Sequence, residues 1–132
     1  MEGTLGFYRT VMNHLNEGVY FVDTDRKITF WNNGAEKISG YNETEVLHKP
    51  CFWNILMHQN DEGIILCEKN CPMGKTLLDG VLREEMLFLR HKQGYRVPVS
   101  TKIFTIKSPS NQIVGAVKNF ADMTPGSKKK KK

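Results

Sequence analysis

The chain has 132 residues, 39% apolar and 25% charged, a balance that suits one soluble domain large enough to bury a single core without staples. Its formal net charge of +5 is carried by the block Lys128 to Lys132, and without that block 14 basic residues stand against 14 acidic ones, so the charge says nothing about nucleic acid or other partners. No run of about 20 apolar residues is present to span a bilayer, and Met1 to Thr10 lacks the basic-then-apolar order of a secretory signal.

These exclusions point to the cytoplasm, where thiols stay reduced and clustered cysteines more often mean metal or redox chemistry than structural disulfides. Gly126 to Lys132 reads as an appended tail, because an isolated lysine block cannot join a packed core. The expected organisation is an N-terminal amphipathic helix over residues 1–17, a folded domain over 18–124 and the tail over 125–132.

In GFYRTVMNHLNEG, Phe7, Val11 and Leu15 recur at the spacing of one helix stripe, and Gly18 closes it. Val19 to Val22 and Ile28 to Trp31 are β-rich runs joined by the polar turn Asp23-Thr24-Asp25-Arg26, the pattern of a hairpin. Asp23 and Asp25 read as turn residues that cap backbone groups rather than as paired catalytic carboxylates. Strict alternation sends Val19, Phe21, Ile28 and Phe30 to one face and Tyr20, Val22 and Trp31 to the other. Both faces are apolar, so the sheet needs cover on both sides.

Ala35 and Ile38 at helical spacing, with Gly40 as a left-handed stop, predict a short helix. Asn42 followed by Glu45 predicts a capping box on a second helix, which Pro50 ends. Pro72 and Gly80 frame a third. Three strand-like runs follow, near residues 84–91, 95–107 and 112–121, separated by Gln93-Gly94 and Ser108-Pro109-Ser110-Asn111. Glu84 and Glu85 fall at the exposed start of the first. Two strands, short helices and an antiparallel three-strand meander predict an α+β domain with a five-stranded sheet.

All three cysteines lie between Cys51 and Cys71, with the spacing Cys51-x6-His58-x8-Cys67-x3-Cys71. Three thiolates and an imidazole are the donor set of a closed zinc site, and iron or an iron–sulfur cluster also accepts sulfur ligands. Two other readings stay open: small cysteines that simply pack, with His58 satisfied in the core or at the surface, and a Cys67–Cys71 redox pair, which requires Cα atoms within about 7 Å. His14, His48 and His91 sit among polar residues and read as surface groups. Met12, Met57, Met73 and Met86 read as core or cavity liners. No Gly-rich phosphate loop, Gly-x-Ser-x-Gly elbow or His-Glu-x-x-His motif occurs.

Three stretches together carry a resemblance: GVYFVDTDRKITFWNNGAEKISGY, HKQGYRVPVS and IVGAVKNFADMT, whose Asp122-Met123-Thr124 is similar to the Asp-Ile-Thr that ends many PAS domains. From about Phe7 to Thr124 the chain resembles that family. The resemblance implies a five-stranded antiparallel PAS sheet with helices folded over one face to form a ligand cavity, and a flanking helix or partner subunit on the other. PAS domains are sensory and interaction modules rather than enzymes, so it also implies a homodimer, a small-molecule or metal ligand, and a separate C-terminal effector.

The cysteine segment looks like that of PAS domains preceding bacterial diguanylate cyclases, with a histidine kinase as the other effector expected. Alternation combined with the family layout places Phe21, Ile28, Phe30, Leu56, Leu77, Phe88 and Val99 toward the cavity. It leaves Tyr20, Val22 and Trp31 for the outer face, beneath the Phe7/Val11/Leu15 stripe. The competing expectation is a ligand-free dimerisation module whose cavity is filled by its own side chains.

Overall fold

The computed structural model describes residues 2–50, 55–66 and 71–125, with side chains from residue 6 onward. The strands are β1 (Gly18–Asp23), β2 (Ile28–Trp31), β3 (Arg83–Arg90), β4 (Arg96–Lys107) and β5 (Ile113–Asp122). They form one antiparallel sheet in the order β2-β1-β5-β4-β3, so the last strand of the chain enters the middle and joins the first hairpin to the later one. Among the described residues four helices accompany them: α1 (Glu2–Asn13), α2 (Asn33–Ser39), α3 (Glu43–Val46) and α4 (Pro72–Asp79). This is the expected α+β architecture.

Local chemistry accounts for the short elements. Asp23 Oδ1 accepts from the amides of Asp25 and Lys27 at 2.9 and 3.0 Å, which makes the hairpin turn. Asn42 and Glu45 close the capping box of α3 in both directions. Gly40 ends α2 at φ 84°, a left-handed conformation that glycine adopts without the steric penalty of a Cβ.

Asn32 ties three elements together. Buried to 1% exposure, its Oδ1 accepts from Val19 N of β1 and from Ala35 N of α2, each at 2.8 Å. Its Nδ2 donates to Met12 O of α1 at 2.7 Å and to Glu17 O at 3.1 Å. The chain passes so close here that a Cβ on Gly34 would lie 2.1 Å from Glu17 O. Gly34→Ala should therefore destabilise the domain by about 1–3 kcal/mol through overpacking. An unhindered helical site would instead gain up to about 1 kcal/mol from the same change, so the sign of the shift in urea midpoint checks the contact.

The core lies between the sheet and the helices that follow β2. Tyr20, Val22, Ile28, Trp31, Leu56, Met73, Leu87, Leu89, Val97, Val99, Ile103, Ala116 and Phe120 form one buried cluster. Full burial of each large apolar side chain contributes about 1.5–3 kcal/mol. The expected faces of the first hairpin are thus reversed: Tyr20, Val22 and Trp31 point to the helix-covered side. Phe21 and Phe30 face α1, where they share a pocket with Tyr8, Arg9 and Met12, and Arg9 lies 5.2 Å over the Phe30 ring.

Ile28 does reach the core, and a bulge explains how. The pairs Phe21↔Phe30 and Val22↔Ile28 advance one residue on β1 and two on β2, so Thr29 is extra and alternation breaks between Ile28 and Phe30. The α1 stripe also differs from the expected one. Phe7 and Val11 remain 64% and 41% exposed, whereas Met12, with Leu15 just beyond the helix, lines a groove of about 260 Å³ with Val19, Phe104, Val117 and Asn119.

Candidate functional site

In β5, Ala116, Lys118 and Phe120 share one alternation phase, and that phase faces the helices. Lys118 pairs across the sheet with Tyr20 on β1 and Ile103 on β4, placing a lysine 2% exposed in the centre of the inner face. Its Nζ lies 2.8 Å from Nε2 of His58, a ring itself only 4% exposed. For the ring to accept there, its own hydrogen must sit on Nδ1.

The segment that carries His58 is fastened to the sheet edge. Gln59 exchanges both backbone hydrogen bonds with Phe88 of β3 at 2.9 Å, Arg90 N donates to Leu56 O at 2.7 Å, and Leu66 N donates to His58 O at 2.8 Å. Between Leu56 and His58, Met57 adopts a left-handed φ of 45°, a conformation costing a bulky residue of order 1 kcal/mol. Arg96 of β4 donates from Nη1 to the Met57 carbonyl at 2.6 Å and steadies that turn. A strained, clamped turn thereby aims the imidazole across the inner face at Lys118.

The next lid element is tied to β3 as well. Arg83 donates from Nη1 to Thr76 Oγ1 of α4 at 3.0 Å, and its guanidinium grips both carboxylate oxygens of Asp79. The inner face therefore places a buried lysine side chain beside a buried imidazole within an apolar core, with a covering segment anchored to one sheet edge.

A family model for the PAS domain matches residues 16–125. The chain belongs to the PAS family. None of the curated proteins compared with it matches. Among solved structures, the PAS domain is similar to that of a protein from Colwellia psychrerythraea, at 20% identity and a TM-score of 0.74, covering 92% of this chain and 98% of that one. An RNA-binding light-oxygen-voltage receptor matches at 14% identity and a TM-score of 0.73, covering 91% of this chain but 33% of that one. The PAS domain of nitrogen regulation protein NR(II) from Vibrio parahaemolyticus matches at 11% identity and a TM-score of 0.65, covering 88% and 97%. At these identities the likeness is one of fold.

Within the PAS domain the residues expected at the cavity divide into two groups. Ile28, Leu56 and Val99 are fully buried in the helix-side core, and Leu77 packs against it. Phe21 and Phe30 lie under α1, and Phe88 falls in the opposite phase of β3 to the buried Leu87 and Leu89. Of the proposed metal donors, Cys51 and Cys67 lie outside the described residues. Cys71 is a half-buried free thiol at the N-cap of α4, and His58 turns to Lys118 instead. Among the described residues no three His, Cys, Asp or Glu side chains gather as a metal site.

Lys118 was not among the expected site residues. Its signal was present, since a lysine in phase with Ala116 and Phe120 breaks an otherwise apolar strand face.

Burial holds the His58 pKa well below its ordinary 6.5, and the cations Lys118 and Arg96 push the same way. On acidification through 6.5 the unfolded chain binds a proton that the folded ring refuses. This contribution to stability is therefore complete above that pH and falls below it, by about 1.4 kcal/mol per pH unit until the folded pKa is reached. Urea unfolding at pH 7.5 and 5.5 should show wild type losing roughly 1 kcal/mol more than His58→Gln. Equal losses would remove His58 as the source.

Proposed function

We propose that this PAS domain is the input module of a cytoplasmic bacterial signalling protein. In this reading it binds a small ligand between the inner face of the sheet and the lid, and passes the change to a C-terminal effector such as a diguanylate cyclase or histidine kinase. The observation that carries it is the buried Lys118–His58 pair. A polar pair in an apolar interior costs desolvation energy that packed apolar residues avoid, and it stands where the lid segment meets the central strand. Displacing His58 shifts a segment hydrogen-bonded to β3, which gives ligand binding a mechanical output. Among the described residues no helix is long and apolar enough to cross a membrane, consistent with an input module that works in aqueous surroundings.

A homodimer fits this reading through the α1 side. Phe7, Val11, Leu15 and Phe104 are between 38% and 64% exposed there, more apolar surface than one domain needs to leave bare. The ligand-free dimerisation module is the second reading, favoured by the dense core between sheet and helices. Native mass spectrometry of freshly purified protein separates the two. A dimer that retains a small molecule supports ligand sensing, and a dimer that retains none and gains none from added ligands supports the dimerisation module.

Metal or redox sensing by Cys51, Cys67 and Cys71 is a further version of the input-module reading, with zinc or iron as the ion. The Lys118 ammonium against His58 opposes a metal at that nitrogen, so thiolates would have to supply the set. Elemental analysis of wild type against Cys67→Ala/Cys71→Ala tests it, and substoichiometric metal in both would sink it. An ultraviolet–visible spectrum of the same sample reports haem, flavin or iron–sulfur chromophores.

A further inference from the structure

We propose that the groove between the end of α1 and the outer face of the sheet is a ligand site of its own, taking a small neutral molecule with an apolar body and one N–H or O–H donor. It lies on the side of the sheet away from Lys118 and His58, and so goes beyond the input-module reading. The groove measures about 260 Å³, with Leu15, Phe104 and Val117 among its apolar walls and Glu17, Lys102 and Asn119 as its polar ones. Pockets for drug-sized ligands run to about 300–1,000 Å³, so this one suits a smaller molecule of one or two rings.

The donor requirement comes from Asn119, which follows the inward Lys118 in β5 and so faces outward. Its Nδ2 donates to Glu17 Oε1 at 2.8 Å, which fixes the orientation of the amide, because a carboxylate only accepts. Oδ1 is then left buried with no hydrogen-bond partner among the described residues. A buried acceptor without a donor is destabilising, and a molecule that donates to it offsets that penalty on binding. Leu15 is 43% exposed and the exposed Lys102 has a long, rotamer-rich side chain. These two walls are free to move aside as a ligand brings its donor to the oxygen.

Charge and shape set the rest of the molecule. Glu17 and Lys102 bring one negative and one positive charge to the groove, and Lys102 stands opposite Asn119 in the sheet register. With no net charge, the groove selects neither anions nor cations. The Phe104 ring, 38% exposed, offers an aromatic body a face or an edge to pack on. Indole and phenol are the simplest molecules with all of these features. Occupation also bears on the linker between α1 and β1, because Glu17 is held by Asn119 through its side chain and by Asn32 through its carbonyl.

The test uses the 132-residue chain with indole and phenol, their methylated counterparts 1-methylindole and anisole, and benzoate and benzylammonium as charged probes, read by isothermal calorimetry. Wild type should bind indole or phenol at least about fivefold more tightly than the counterpart whose donor is methylated, a difference of about 1 kcal/mol. In Asn119→Leu that ratio should fall to about one, and Leu15→Trp, at an exposed position, should fill the groove and abolish binding of both members. Circular dichroism establishes that each variant is folded. Nuclear magnetic resonance of wild type needs no variant: indole should shift the Asn119 side-chain amide and the Val117 backbone. Equal binding of a donor and its methylated counterpart, a ratio unchanged in Asn119→Leu, a charged probe binding as tightly as the neutral ones, or shifts confined to inner-face residues such as Leu87 and Leu89 overturns the assignment. Leu15 and Phe104 also belong to the face assigned to the homodimer, so the titration is repeated at protein concentrations that favour monomer and dimer, and binding at neither overturns it as well.

Discussion

Replacing Asn32 with alanine is expected to lower the free energy of unfolding by about 3–5 kcal/mol, the upper range for a single substitution. Its amide makes four hydrogen bonds to main-chain groups of β1, α2, the end of α1 and Glu17. Alanine leaves these buried groups without that partner, at about 1–3 kcal/mol for each one that finds no substitute. Asn32→Asp keeps the acceptor but points an oxygen at the carbonyls of Met12 and Glu17. It should be nearly as damaging at neutral pH and partly recover under acid, when the carboxyl can donate. Urea midpoints for both variants, with amide exchange in α1 as a local readout, check this. A loss below 1 kcal/mol in Asn32→Ala would show that α1 is docked by other contacts.

The second large effect is an asymmetry across the Lys118–His58 contact. His58→Ala removes an imidazole acceptor from the buried Lys118 amine and is expected to cost about 1.5–3 kcal/mol, the range for a lost hydrogen bond to a charged group. Lys118→Met removes the charge itself and leaves a neutral ring, so it should cost no more than about 1–2 kcal/mol. The combined Lys118→Met/His58→Leu variant should be at least as stable as wild type, because apolar replacements of buried ionic groups are often neutral or stabilising by about 1–4 kcal/mol. A double-mutant cycle by urea unfolding measures the coupling. Independent, additive losses would mean that the two side chains do not depend on each other. Stability gained in the combined variant would show that the pair is not kept for folding.

Element type and order were legible because they are set locally. The Asn42/Glu45 box, the Gly40 and Gly80 stops, Pro72 at the start of α4 and the Asp23 turn each act through neighbouring residues in the chain. Membership of the PAS family was legible too, because its motifs sit in those same local elements, and the family match over residues 16–125 agrees. Face was not. Both sides of the first hairpin are apolar, so alternation sorts Tyr20, Val22 and Trp31 from Phe21 and Phe30 without saying which set meets the helices. The bulge at Thr29 then separates Ile28 from Phe30, which strict alternation had joined.

The candidate site divides in the same way. A sequence clustering Cys51, His58, Cys67 and Cys71 draws attention to that segment, and its described residues 55–66 do form part of the cover over the inner face. What His58 touches depended on a residue sixty positions away, brought opposite by the entry of β5 into the middle of the sheet. The sequence by itself determined the elements, their caps and the family. The tertiary structure decided which hairpin face is inner, that α1 docks through Asn32, and that Lys118 meets His58. Those are long-range choices, fixed by packing several layers at once, and no window of local sequence contains the competing surfaces.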